Sequence, residues 1–223
     1  MRSLRAIGVV IVVLSTLPLS GQALKMTLGP VLLLTPSTTP EGGSTREYLF
    51  LADRGSRKGQ HLHVWTGAAK AQRPSARASS SEYHLVSPST AGPLPDVDVL
   101  GIHYIKVLPD RREAFEKFVG STLNPRVGNL RPDLRLLYYK AVSGPQAGSY
   151  ITIFALTRES RDKYWPGGSD SDDLRAAFEP VRALTKELLT YLVEGSALTD
   201  EKFAAAVYES RDWSDFVLVS GPK

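Results

Sequence analysis

The sequence predicts an α+β protein whose core, residues 97–220, is a ferredoxin-like βαββαβ unit with an antiparallel sheet and its helices on one face. Three observations predict it. Runs rich in β-branched and aromatic residues alternate with runs of helical spacing in that order. The central pair, LRLLYYKAV (134–142) and SYITIFALT (149–157), is joined by SGPQAG, a short loop with two glycines and a proline that suits a hairpin. The strands are apolar on both faces, which calls for a second layer of cover.

The first strand is VDVLGIHYIKV (97–107). Asp110 and Glu113 then form a D-x-x-E pattern that reads as a capping box. Phe115, Phe118, Val119 and Leu123 recur at helical spacing until Pro125 and Gly128. After the hairpin, a polar loop with Tyr164, Trp165 and Pro166 leads to a helix over 171–194, carrying Leu174, Phe178, Val181, Leu188 and Leu192. Pro180 falls inside it and should divide it. The acids of SDSDD (169–173) suit a helix start, where capping and the helix dipole favour them over a calcium role. DEKFAAAVYES (200–210) reads as a short helix and WSDFVLV (213–219) as the last strand, with Trp213 buried and Arg211 or Asp215 at the surface.

Alternation places Val99, His103, Ile105 and Val107 on one face of the first strand and Leu100, Ile102 and Tyr104 on the other. Leu134, Leu136 and Tyr138 oppose Leu137 and Tyr139; Tyr150, Phe154 and Leu156 oppose Ile151 and Ile153. Helices can cover one face only. Burying one such side chain contributes roughly 1.5–3 kcal/mol, so six or more left in water would forgo roughly 10 kcal/mol. A second copy of the sheet, in a symmetric homodimer, is the first expected cover; the N-terminal segment folding back is the second.

That segment, residues 24–96, reads as irregular and β-rich, in part disordered, and ends in a linker, PSTAGPLPDVD (88–98). It holds three strand-like runs: EYLFLA (47–52), HLHVW (61–65) and EYHLV (82–86). Before it, Arg2 and Arg5, the apolar run AIGVVIVVLSTLPL (6–19) and small residues near Gly21–Ala23 have the three parts of a secretory signal over residues 1–23. The run is 14 residues, about 21 Å as a helix against a hydrocarbon core of about 30 Å. The expected location is therefore exported, periplasmic or secreted from a bacterium, or membrane-anchored where the signal is retained. No later stretch is long and apolar enough to span a bilayer. The absence of cysteine fits an exported protein held by its core alone. Without Arg2 and Arg5 the charge falls from +4 to +2, with no basic run interleaved with aromatics, which excludes a nucleic-acid footprint.

The run GIHYIKVLPDRREAFEKFV, the LLYYK/YITIFAL hairpin and the terminal DWSDFVLV together resemble the dimeric α/β-barrel superfamily, whose members include antibiotic-biosynthesis monooxygenase-like proteins, muconolactone isomerase-like enzymes and haem-degrading monooxygenases. The resemblance covers slightly over half the chain. It implies two sheets packed as a barrel, a homodimer, and a pocket between sheet and helices. It also implies the function classes to weigh: a cofactor-independent monooxygenase or isomerase acting on an aromatic or lipophilic compound, or a non-catalytic ligand-binding or assembly module. No cofactor is expected. Haem is disfavoured because the family's axial histidine lies on a helix and no histidine here falls in a predicted one. The family's pattern of an asparagine with two tryptophans finds no residue-by-residue match, and Asn124, before a proline at a helix end, reads as a cap.

His103 is the candidate proton acceptor, since imidazole titrates near neutrality; its competing reading is a core histidine bonded to a neighbour. Tyr104, Tyr138 and Tyr139 are candidate substrate contacts and Trp165 a candidate lid, each also suited to core packing. His61 and His63 share one side of a strand at a spacing that can chelate a metal. Gly55 ahead of them imitates a cupin motif, but VWTGAAKAQ (64–72) lacks the carboxylate that motif requires. No metal site is expected unless His84 lies alongside.

Overall fold

The computed structural model describes residues 24–40, 46–68, 74–86, 96–127, 131, 133–194, 196 and 212–222. The signal segment 1–23, most of the expected linker and the expected helix 200–210 lie outside the described residues.

In chain order the strands are β1 (Met26–Thr27), β2 (Val31–Ser37), β3 (Tyr48–Gly55), β4 (His61–Gly67), β5 (Ser81–Leu85), β6 (Asp96–Val97), β7 (Val99–Ile105), β8 (Arg135–Ser143), β9 (Tyr150–Leu156) and β10 (Asp212–Ser220). The helices are α1 (Arg112–Phe118), α2 (Asn124–Val127), α3 (Arg158–Tyr164), α4 (Asp172–Phe178) and α5 (Arg182–Leu189). Eight strands close into an antiparallel barrel in the order β10-β3-β4-β2-β5-β8-β9-β7.

The closure of the barrel departs from the expected architecture. The barrel needs no second copy to close: β2 to β5 of the same chain cover the second face of the C-terminal sheet. The described residues of 24–96 supply four strands, β2 to β5, which form half the barrel wall. Each half has the strand order of a ferredoxin-like sheet. Within the C-terminal half the order is fourth, first, third, second (β10-β7-β9-β8), and within the N-terminal half it is the same (β5-β2-β4-β3). The halves join at two equivalent seams, β3–β10 and β5–β8, each pairing a second strand with a fourth. Among the described residues the N-terminal half carries no helix.

The repeat extends to single hydrogen bonds. In the β3–β4 turn, Gly59 N–H donates to Ala52 O and Gln60 N–H to Arg57 O; in the β8–β9 turn, Gly148 donates to Ala141 O and Ser149 to Gln146 O. The third turn residue docks on the opposite half each time. Arg57 N–H donates to Ser214 Oγ at 2.9 Å and Gln146 N–H to Ser81 Oγ at 3.1 Å. Both seams carry a register shift at the same place, between Asp215 and Phe216 and between Glu82 and Tyr83. Asp53 and Val142 are thus the extra residues of two matching bulges.

All eight strands send one face inward. Leu32, Leu34, Phe50, Leu62, Val64, Tyr83, Leu100, Ile102, Leu137, Tyr139, Ile151, Ile153, Phe216 and Leu218 form one buried cluster with Met26, Leu28 and Val97. An eight-stranded barrel is just wide enough for side chains to fill, and this one is filled. The outer face of the C-terminal sheet, with Val99, Ile105, Leu136, Tyr138, Tyr150, Phe154 and Leu156, forms a second cluster with Phe115, Phe118, Leu174, Phe178 and Leu188 of the helices. The two apolar faces assigned by alternation are these two clusters.

The expected D-x-x-E capping box is not formed. A 3-10 turn, Pro109–Arg111, takes up Asp110, and α1 starts after it with no side-chain cap. A π turn, Val119–Leu123, then carries the chain into α2 past Pro125, where an end was expected. The wider turn accommodates a residue that lacks an N–H and crowds the carbonyl four before it. Pro180 does divide its helix, at a 3-10 turn, Glu179–Val181. Ser171 Oγ caps α4 by accepting from Leu174 N–H at 3.2 Å, with Asp172 and Asp173 in the first turn.

Candidate functional site

The register sets Trp213, His103, Thr152 and Tyr138 abreast on β10, β7, β9 and β8. All four point away from the barrel interior. His103 is 7% exposed; its ring lies 5.2 Å from Phe154 and stacks on Trp213 at 6.2 Å and 24°. Burial drives its imidazole down to about 3, so it stays neutral at physiological pH. Trp165 joins the same aromatic group, 5.4 Å from Phe154 and 6.1 Å from Tyr164. Tyr138 packs edge-on to Phe115 at 6.3 Å. Tyr139 and Tyr104 lie on the other side of the sheet, inside the barrel, where Tyr139 Oη donates to Gly29 O at 2.9 Å. The sequence-derived set therefore splits: His103, Trp165 and Tyr138 lie on the outer face, with the Tyr138 ring against Phe115, and the wall of the barrel divides all three from Tyr104 and Tyr139.

Asp215, expected at the surface, and Trp213, expected to be buried, are both half-buried, Asp215 lying beside the His103 group. Asp215 lies opposite Gly101, where a Cβ would stand 3.2 Å from its Oδ1. Burial raises its carboxyl to about 6, against the pull of Arg161 and Arg54 and with the push of Asp53 and Asp162. Arg161, 7% exposed, pairs with Asp53 at 2.7 Å and Asp162 at 3.1 Å. Arg54 pairs with Asp162 at 3.1 Å and donates to Trp165 O at 3.3 Å. This network ties α3 to the β3–β10 seam.

Among the described residues the histidine pair does not meet a third metal-ligating side chain. His63 is 2% exposed and faces Thr35 of β2; burial first, then Arg77, lowers its pKa. His84 is on β5, with β2 between it and β4, and faces Val31 rather than Thr35. It bonds Glu82 at 2.6 Å. Among the described residues no three metal-ligating side chains come together. All four histidines lie on strands. Asn124 opens α2 with its Oδ1 buried and unpartnered among the described residues, so the expected cap is not made.

A cleft of about 340 Å³ opens where β7 runs out and β9 and β10 begin, lined in part by Arg57, Tyr104, Lys106, Tyr150, Ser196 and Asp212. The Arg57 guanidinium lies 4.0 Å over the Tyr104 ring, and its Nη2 donates to Asp212 Oδ2 at 2.9 Å. Its Nε is buried and has no acceptor among the described residues; the buried Ser196 Oγ is equally unpartnered. Burial raises the Tyr104 phenol while Arg57 opposes the rise. Tyr150 Oη donates to Glu116 Oε1 at 2.5 Å, and Lys140 Nζ donates to the same oxygen at 2.7 Å. The arrangement is suited to holding a small polar molecule against an aromatic wall.

Sequence reasoning found Tyr104 and missed Arg57 and Asp215. Alternation with Trp213 and Val217 was the signal for Asp215's outward placement. For Arg57 the only signal was its position inside a glycine-bounded turn, GSRKG (55–59).

No family model matches the chain, and no curated protein matches it. Among solved structures it is similar to a major regulator of staphylococcal pathogenesis, at 12% identity over 85% of this chain and 99% of that one, TM-score 0.44. It is also similar to an uncharacterized ferredoxin-fold protein related to antibiotic biosynthesis monooxygenases from Listeria monocytogenes, at 11% identity over 86% and 97%, TM-score 0.44. A third is an anthrone oxidase-like protein, at 9% identity over 85% and 90%, TM-score 0.40. These likenesses are ones of fold.

Proposed function

We propose that the protein is an exported small-molecule-binding α/β-barrel protein that holds its ligand in the cleft at the barrel mouth as a non-catalytic binding module. One observation carries this reading: a cleft of about 340 Å³ brings the charged side chains Arg57, Lys106 and Asp212 together beside the Tyr104 ring. A concave site with a few convergent polar groups beside an aromatic ring is the default place for a small ligand. Native mass spectrometry of freshly purified protein tests it. A retained small molecule that is lost on Arg57→Gln supports the reading; retention unchanged by that substitution contradicts it. Export is tested by N-terminal sequencing of the protein recovered from bacterial cells, with cleavage expected near Gly21–Ala23.

A second reading, a cofactor-independent monooxygenase or isomerase acting on an aromatic compound, is favoured by a different observation. Asp215, raised to about 6, lies in the same outer-face group as the neutral His103, Trp165 and Trp213. A carboxyl poised near neutrality is suited to proton transfer. Oxygen uptake with phenols and hydroquinones, abolished by Asp215→Asn, would support this reading; no turnover of any of them would leave the binding reading in place.

A further inference from the structure

We infer that the β3–β10 seam carries a proton-operated latch: Arg54 holds the Trp165 turn while Asp215 is neutral and swings to Asp215 once that carboxyl ionises. The register places Arg54 of β3 directly opposite Asp215 of β10. Opposite charges so placed across a sheet ordinarily attract one another into a pair. Here they do not pair. Arg54 Nη2 reaches past its neighbour to Asp162 Oδ1 at 3.1 Å, and its Nη1 donates to Trp165 O at 3.3 Å. Arg161 is drawn away from Asp215 in the same manner. Its Nε donates to that same Asp162 oxygen at 3.1 Å and its Nη1 to Asp53 Oδ2 at 2.7 Å.

Two arrangements compete because the charges balance only while Asp215 carries its proton. The charged groups acting on Asp215 are Asp53 and Arg54 from β3 and Arg161 and Asp162 from α3. On the same face β7 presents Gly101, opposite Asp215, and the neutral His103. With Asp215 protonated, the carboxylates of Asp53 and Asp162 match the two guanidiniums. Ionised Asp215 is a surplus negative charge, and Arg54 is the cation free to move to it. Arg54 is half-buried, whereas Arg161 is buried between Asp53 and Asp162. A guanidinium bonds a carboxylate more strongly than it bonds a backbone carbonyl, so Arg54 leaves Trp165 O. Trp165 O then keeps the Gly168 N–H, 3.1 Å away, and the turn Pro166–Gly168 loses its tie to β3. Burial raises the Asp215 carboxyl to about 6, which centres the exchange near neutrality and not in strong acid. The latch needs no ligand and is independent of the cleft.

The Gly168 amide shares its acceptor with Arg54 and therefore reports the exchange. The test is an amide-resolved NMR series of the full chain between pH 4 and 8. The wild type should show a Gly168 shift centred near 6. Asp215→Asn should remove that shift and hold Gly168 at its low-pH position. Arg54→Gln should remove it as well, while the Asp215 carboxyl, followed by its own carbon resonance, still titrates. Asp162→Asn, at an exposed position, releases Arg54 to Asp215, so the midpoint should fall by about one pH unit or more. A Gly168 shift that survives Asp215→Asn belongs to Asp170, the acid that accepts from the Trp165 indole, and overturns the latch. A shift that survives Arg54→Gln, or a midpoint unmoved by Asp162→Asn, overturns it too. So does a wild-type Gly168 amide indifferent to pH.

Discussion

Gly55 and Gly144 occupy equivalent positions in the two halves of the barrel. Each has a left-handed backbone, φ 87° and 84°. A Cβ on Gly55 would stand 2.2 Å from Trp213 O and one on Gly144 2.1 Å from Ser80 O. Both glycines therefore let a hairpin of one half press on the fourth strand of the other. Gly55→Ala and Gly144→Ala should each destabilise by about 3 kcal/mol or more, since a backbone clash adds to the left-handed penalty. Gly59, at φ 87° with nothing within 4 Å of its Cβ position, should cost only about 1 kcal/mol on the same substitution. Urea unfolding of the three variants checks this; equal losses at all three would show that the seams do not depend on close approach.

His103 and Asp215 should give opposite pH slopes. The imidazole is depressed to about 3 in the fold and titrates near 6.5 when unfolded, so its contribution is complete above about 6.5 and is lost as the pH falls towards 3. The carboxyl is raised from 3.8 to about 6. Its contribution is complete below about 3.8 and is lost as the pH rises through 6. His103→Leu should therefore gain on the wild type as the pH drops below about 6. Asp215→Asn should gain at neutral pH, by roughly 2 kcal/mol, with the advantage gone near pH 4. Denaturation series between pH 4 and 8 measure both, and curves parallel to the wild type would remove these groups from the pH response.

Thr152 stands between His103 and Tyr138, 1% exposed, with its hydroxyl unpartnered among the described residues. Replacing it by the near-isosteric valine removes a buried unsatisfied group, so Thr152→Val should stabilise by about 1 kcal/mol. A loss of stability in thermal unfolding would mean that the hydroxyl has a partner.

The C-terminal half was legible because its strands are long and apolar on both faces, and alternation sorted Leu100 and Ile102 from Val99 and Ile105 without any contact being known. The strand β2 was not legible. Its apolar run is only VLLL and it contains Pro36. That proline is tolerated because β5 pairs only with residues 31–34 and leaves Pro36 partnered on the β4 side alone. The repeat was hidden because its two copies share little beyond glycines and serines at the turns. His103 was visible as a histidine on a buried face. That it is neutral, and that Asp215 lies near it, depends on where α3 and β3 arrive, which no local pattern in residues 97–107 records.

One chain closes the barrel by itself, and the cysteine-free sequence permits a clean test of that closure. His84 and Lys140 face each other across the β5–β8 seam, both with partly exposed side chains, 44% and 38%. Oxidation of the His84→Cys/Lys140→Cys variant, read on a non-reducing gel, should give a single monomeric band of increased mobility. A disulfide-linked dimer, or no link at all, would contradict a barrel closed within the chain.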